Sequence, residues 1–508
     1  MGLEDVTAGV LGARTYRPQA YDPADPIDYR LAFSPRNDIG NAERLLERVG
    51  DEVMWVEALG WLVWNNRHWD LKAGKTRVRQ LAVDTANRIF DEVTAVQDAP
   101  KDKQPGREFA VEHLKWARSS GDSRRLSGML GVAADFRTRT PEELDSDPLL
   151  LNVANGTLPL EGACEDLRPH RREDLLTKIV DIPFDPTATC PTFRTFLDRV
   201  LPDREVQDFM QRSLGYALTG EIGEQCMWLL HGAGANGKST LIDLVARILG
   251  PYAASIPFAS LVSDERKRGS EATPDLARLP GARMVRASEP RKGVKLGEDT
   301  VKQITGGEPL TVRHLNKDFF EFLPSFKLFV SVNHLPTITG NDEGIWRRIH
   351  KVPFLVTIPK EERDPKLGDK LWAERAGVLN WLLDGCRMWL DGRLRPPAAV
   401  AEATRKYRTE SDALGQFTSS WVERAEGCYV QATRLYEAYQ LWCEGNAVEP
   451  MSLTLFGRML VERGFEKEKQ GVMVYLGLQL TQQALDEMQE RDDLRRRRKG
   501  HGGSGDDT

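Results

Sequence analysis

The segment HGAGANGKST holds the residues whose spacing speaks most directly to chemistry. Gly232, four intervening residues and then Gly237-Lys238-Ser239 reproduce the P-loop pattern. The chemistry accounts for each residue type along the stretch Gly232, Ala233, Gly234, Ala235, Asn236, Gly237, Lys238, Ser239 and Thr240. Glycines let backbone N–H groups curl round a β-phosphate, Lys238 neutralises β/γ charge, and the Ser239 hydroxyl ligates Mg²⁺. The competing reading is a glycine turn with a solvated lysine. Context weighs against it, because the apolar run CMWLL precedes the loop and a helical pattern from Ser239 to Leu249, stopped by Gly250, follows. ATP and Mg²⁺ are the expected ligands.

Three further groups follow in order. The apolar run ARMVRASE ends in Glu289, an acid placed to polarise an attacking water and to join Ser239 near the metal. A strand-end glutamate in solvent is the bland alternative. The run KLFVSVN closes on Asn333, whose amide at the carboxyl end of a parallel strand could orient that water or sense the γ-phosphate. WRRIHKVPF then supplies Arg347 and Arg348, candidates for an arginine reaching a neighbouring subunit's nucleotide. Between Glu289 and Asn333, the apolar arms LTV and FFEF flank Arg313, His314, Asn316 and Lys317. That is a hairpin with a basic tip suited to phosphate contacts, or simply a soluble turn.

The elements that must position these groups read as an α/β domain with a largely parallel sheet, from about Arg204 to Phe354. Ahead of it, residues 1–37 are rich in Pro and Asp and predict an extended arm. Residues 38–140 predict an α-rich domain whose first helix is DIGNAERLLERV, ended by Gly50. There WLVWNNRHW predicts a hairpin turning at Asn65-Asn66, with Trp61, Trp64 and Trp69 forming a buried cluster more readily than a base-stacking surface. Residues 141–205 form a linker or collar containing an Asn155-Gly156 hairpin, and 206–395 the motor, closed by helices and the boundary RLRPP. Residues 396–485 predict a winged-helix-like piece, with helix MSLTLFGRMLVERGF and a wing turning at Gln470-Gly471, serving DNA binding or protein docking. Residues 486–508, ending RRRRKGHGGSGDDT, read as disordered.

Over 508 residues, Lys+Arg 70 against Asp+Glu 76 gives a formal net charge of -6, which excludes a protein that coats nucleic acid by bulk charge. Six scattered cysteines with no CxxC pair exclude a disulfide framework and a Cys-rich zinc site. No run is long and apolar enough for a membrane span, so a cytoplasmic setting is expected.

The order P-loop, strand-end acid, basic hairpin, strand-end Asn and Arg resembles the superfamily 3 helicases, a branch of the AAA+ ATPases. More narrowly, NGKST, ASEP, VKQITGGEPLTVRHLNKDFFEF, SVNHLP and DEGIWRRIHKVPF resemble the helicase part of phage and plasmid primase proteins and the related poxvirus primase-helicase. The resemblance covers roughly residues 38–480. It implies an AAA+ P-loop core in which Lys238 and Ser239 hold phosphate and Mg²⁺, Glu289 is the catalytic acid and Asn333 the sensor. Arg348 is the first choice for the finger and Arg347 the second. Arg313 and His314 take the places of a DNA-tracking Lys-His pair, with Lys317 beside them. Arg in place of Lys keeps the charge and alters the geometry. Where many relatives carry two adjacent acids, this sequence has Ser288-Glu289.

The resemblance further implies an ATP-driven replicative helicase of a phage or mobile element, a ring of six subunits moving 3′→5′ on single-stranded or forked DNA in a bacterial cytoplasm. An origin-melting initiator and a non-motor regulatory or defence ATPase are the alternatives. The low-order 1–37 segment is too short for a polymerase-type active site, so priming is expected from a separate primase.

Overall fold

The computed structural model describes residues 27–57, 59–161, 166–262, 273–287, 294–313, 319–338, 342–446 and 448–500, the last six as backbone alone. At its centre lies a five-stranded sheet made of β1 (Met227–His231), β2 (Ala253–Ile256), β3 (Met284–Ala287), β4 (Lys327–Val332) and β5 (Ile349–Pro353). The spatial order is β5-β1-β4-β3-β2, and every neighbouring pair is parallel. Parallel strands must be linked by crossovers and are covered on both faces, which is why these runs are mostly apolar.

Alternation along each strand divides the core in two. Trp228, Leu230, Met284 and Phe329 enter one layer, while Met227, Leu229, Val285, Leu328 and Val330 enter the other. The first layer is closed by α1 (Pro191–Val200), α2 (Arg204–Tyr216), α3 (Lys238–Leu249) and the helices α5 (Leu367–Ala373) and α6 (Arg375–Gly392) that follow the sheet. The second is closed by α4 (Glu298–Gly306) and by the hairpin arms Leu310–Val312 and Phe320–Phe322, which pair antiparallel as the sequence predicts. Trp228 stacks on Phe329 with centroids 4.5 Å apart. Each such buried ring stabilises the fold by about 1.5–3 kcal/mol through area alone.

Two buried cations fix the chain ahead of β1 to the sheet. Lys327 donates to the carbonyls of Thr219, Glu221 and Ser325, and burial pushes its ammonium far below its ordinary pKa. Arg283 donates to the carbonyls of Leu218 and Leu150, the latter in the hairpin Leu150–Val153 with Gly156–Pro159. Carbonyls flanking helices and strands are the backbone groups left over by regular pairing, and the two cations take up these.

In the N-terminal part, the helix Asp38–Val49 is capped by Asn37 and closed by Gly50. Strands Gly60–Trp64 and Trp69–Asp70 pair through a turn where Asn66 has φ 69°, and Trp61 and Trp69 are buried. The hairpin tryptophans therefore pack inward in the main.

Four features depart from the sequence reading. The expected arm contains a short helix, Ile27–Leu31, whose end carbonyl at Leu31 accepts from Arg44. A helix of 28 residues, Leu71–Asp98, spans a stretch with no assigned element. Helix α7 (Ala398–Ser411), beyond the expected boundary, packs back on the motor: Tyr407 enters the second layer, Val400 the first, and Thr404 accepts from the Lys351 N–H. The expected disordered tail is helical from Gln482 to Gly500, because Ala484 and Met488 are buried in the C-terminal core. The wing strands Lys467–Gln470 and Val472–Leu480 turn at Gly471 as predicted and gain a third strand, Val422–Gln431.

Candidate nucleotide site

Strand β1 ends at His231 and the loop 232–237 turns back over the sheet before α3 begins. The turn needs left-handed backbone at Gly234 (φ +99°) and Gly237 (φ +81°). At Gly237 a Cβ would also come within 2.5 Å of Val200 Cγ1, so α1 presses directly on the loop. Helix α1 is itself held by Glu374, whose carboxylate accepts from the Thr192 and Phe193 N–H groups. The chain leaving β5 fastens the other side: Ile358 N–H donates to the Ala235 carbonyl, and the Asn236 amide donates to that of Phe354.

Lys238 is buried at the centre of this loop, and its Nζ donates to oxygens of the loop and of the neighbouring strand. They include the Gly232 carbonyl at 2.7 Å, Asn236 Oδ1 at 3.0 Å and Asn333 Oδ1 at 3.2 Å. The last contact follows from register, since Val332 of β4 lies beside His231 of β1 and Asn333 emerges next to Gly232. These acceptors are neutral, and a phosphate oxygen makes a stronger, charge-assisted partner for an ammonium. His231 just below has its pKa pushed down by burial, then by Lys351 and Lys238.

A cleft of about 550 Å³ opens above the loop, lined by 234–240 and, beyond the motif, by Asp243, Ser255, Arg286, Ser331 and Asn333. That volume is in the range of small-molecule sites. The first turn of α3 lines it, with Ser239 exposed at the mouth. Among the described residues no group of three or more His, Cys, Asp or Glu side chains could hold a metal ion. A hydroxyl beside a phosphate chain fits Mg²⁺, which keeps several waters and binds through few protein ligands. ATP and Mg²⁺ therefore fit the residues present, with Gly232 to Thr240 as the cradle.

Of the other candidate residues, Glu289, His314 and Lys317 lie outside the described residues, as does Asn316. Arg313 is described at the base of the hairpin, its guanidinium 4.7 Å from the Phe319 ring centre, and Phe319 is half exposed. Arg348 is not brought to the cleft. Its carbonyl accepts from Met227 N–H at the start of β1, the end of the sheet opposite the phosphate loop. Five strand residues separate the two ends by about 15 Å. The Arg348 side chain is buried, with Nε donating to Thr305 Oγ1 and a terminal nitrogen to the Gly344 carbonyl. Arg347, its neighbour, is exposed. Arg348 thus bonds within its own chain, and Arg347 faces outward. Asp243 and Arg286 were not singled out by any motif. The signal for Arg286 was a charge inside the otherwise apolar run MVRA.

Three family descriptions match the chain in succession: "D5 N terminal like" over residues 42–202, a family of unknown function (DUF5906) over 230–348, and "Poxvirus D5 protein-like" over 409–490. The chain is thus similar to D5-like proteins toward both of its ends. The chain is 28% identical over 418 residues to a protein of Acanthamoeba polyphaga mimivirus named as a candidate helicase, covering 76% of this chain and 43% of that one. It is 28% identical over 271 residues to a candidate helicase of Frog virus 3, covering 50% and 28%. It is 29% identical over 336 residues to a candidate primase of African swine fever virus, covering 61% and 35%. The chain thus spans less than half the length of these relatives. All three are viral, and none of their names points to a bacterial host. Among solved structures, the apo C-terminal region of NrS-1 aligns over 88% of this chain and 100% of that one, at 12% identity and a TM-score of 0.47. Among the described residues, no helix is long and apolar enough to cross a membrane.

Proposed function

We propose that this D5-like chain is an ATP-dependent DNA helicase of the superfamily 3, AAA+ type, working in the replication of a virus or other mobile element. One observation carries the reading: Lys238 of the phosphate loop and Asn333 of the adjacent strand meet at 3.2 Å over an open cleft. The sheet order supports it, since β4 lies between the phosphate-loop strand and β3, whose run leads to Glu289. The names of the relatives support DNA replication as the setting.

In this reading Lys238 neutralises the β/γ-phosphates, Asn333 holds Lys238 and registers the terminal phosphate, and Glu289 takes up the attacking water. Mg²⁺, when bound, supplies charge neutralisation on the phosphates, with Ser239 and Glu289 as its protein partners. Arg347, exposed and at the far edge of the sheet, is the arginine available to a neighbouring subunit's nucleotide. That arrangement calls for a ring, taken here as a hexamer, with the hairpin tips Arg313, His314 and Lys317 on single-stranded DNA and 3′→5′ movement. The C-terminal piece is read as winged-helix-like. Its helix Leu453–Glu462 exposes Leu453 and Val461 and pairs Arg458 with Glu462, which favours docking protein over gripping DNA.

The discriminating test is ATP hydrolysis with and without single-stranded DNA. Stimulation separates a DNA motor or initiator from a regulatory ATPase that uses nucleotide as a switch. Arg313→Ala is expected to weaken binding to single strands of any sequence and lower the log–log salt slope by about one. An unchanged slope would remove the hairpin from the DNA interface.

A further inference from the structure

Strand β3 reads Met284-Val285-Arg286-Ala287, and its alternation sends Met284 under α3 while Val285 and Ala287 enter the opposite layer. Arg286 therefore lies on the α3 face, in register with Phe329 of β4 and Ser255 of β2. Its guanidinium ion-pairs with Asp243 of α3, and both side chains line the phosphate cleft. Asp243 follows Ser239 by one helical turn, so the two share a helix face with Cβ atoms about 6 Å apart.

A half-exposed pair of this kind contributes at most about 1 kcal/mol to stability. An aliphatic residue at position 286 would bury more surface above Met284. Packing does not account for the pair, whereas its place in the cleft does. The sequence after β3 offers one carboxylate, Ala287-Ser288-Glu289, and magnesium bound to phosphates keeps several waters that seek acidic acceptors.

We propose that Asp243 is a carboxylate partner of the magnesium site, accepting from a metal-bound water, and that Arg286 is the counter-charge that holds it in the empty cleft and faces the terminal phosphate once nucleotide enters. The inference rests on the nucleotide reading above and adds two positioning residues to it. Removing the Asp243 charge should therefore affect metal-free and metal-bound nucleotide in opposite directions. A role limited to tethering α3 to β3 would affect neither selectively.

The test is titration of the full chain with a fluorescent ATP analogue, in EDTA and in Mg²⁺, alongside thermal unfolding. Asp243→Asn is expected to cut the Mg²⁺ enhancement of affinity by about tenfold, in line with other outer-shell partners, while affinity in EDTA rises. Arg286→Gln should weaken binding in both conditions. The exchange of Asp243→Arg with Arg286→Asp keeps an ion pair and should keep Tm within about 2 °C of wild type, yet lose the Mg²⁺ enhancement. A wild-type enhancement in Asp243→Asn, or its return in the exchanged pair, would overturn this inference alone. A wild-type chain that binds no nucleotide would overturn the reading beneath it as well.

Discussion

Lys238 and Asn333 are 95 positions apart in sequence, yet their side chains share a hydrogen bond because β1 and β4 are neighbours in register. The identity of each residue was legible in the sequence: a P-loop is a local pattern, and an amide closing an apolar run is visible without a fold. Their contact was not, since it depends on strand order. Asn333→Ala removes an acceptor of the Lys238 ammonium. Hydrolysis is expected to fall about 100-fold with nucleotide affinity held within about threefold, as when one preorganised polar group is lost. Single-turnover hydrolysis and equilibrium binding check this together. The arginines show the opposite case. Two adjacent arginines look equivalent in a sequence, but the turn after Trp346 sends one inward to Thr305 and leaves the other outside. Arg347→Ala should lose about 10³-fold in hydrolysis by the assembled ring, and mixing with Lys238→Ala subunits should restore part of it. Arg348→Ala should lower stability by about 1.5–3 kcal/mol instead. If Arg348→Ala subunits keep wild-type stability and are rescued by mixing, the assignment is reversed.

Among elements, those with a strong apolar period or a turn signal were legible, including β1, β4, α3, both Asn-containing hairpins and the wing. The helix Leu71–Asp98 was not, because its inward face spaces Val78, Ile89 and Val96 widely among small or polar residues such as Gly74, Ala82, Thr85, Ala86 and Glu92. A buried glutamate breaks an apolar stripe unless its partners are known. Here Glu92 accepts from Arg44 and Arg48 and lies 2.9 Å from His113 Nε2, all of them from other helices. Glu92→Ala would leave the buried Arg44 guanidinium uncompensated, and a loss of about 3–5 kcal/mol in urea unfolding is expected. Strand β5 carries a second prediction. His350, beside the rings of Phe209 and Trp228, has its pKa pushed down by burial to about 4. The unfolded chain takes up that proton near pH 6.5, so the stability from the neutral imidazole is complete above about 6.5 and declines as pH falls toward about 4. His350→Phe should shrink the difference in urea midpoint between pH 7 and pH 5, and an undiminished difference would assign the acid sensitivity to other groups.

For the whole molecule, a net charge of -6 argues against a surface adhesive to DNA at large, and the proposed DNA contact is accordingly confined to the hairpin. The mixed α/β class with a largely parallel sheet was legible from alternating strand and helix signals, since parallel strands demand crossovers. The join between motor and C-terminal piece was misplaced because RLRPP breaks a helix without ending a core, and α7 returns to β5. The account stands on coupling of nucleotide chemistry at Lys238 and Asn333 to movement on DNA. The most direct measurement is displacement of a labelled strand from partial duplexes with 3′ or 5′ single-stranded tails, wild type against Lys238→Ala. ATP-dependent displacement from the 3′-tailed substrate alone, abolished in Lys238→Ala, is predicted. A ring that hydrolyses ATP and displaces neither strand, or displacement that survives Lys238→Ala, would contradict it.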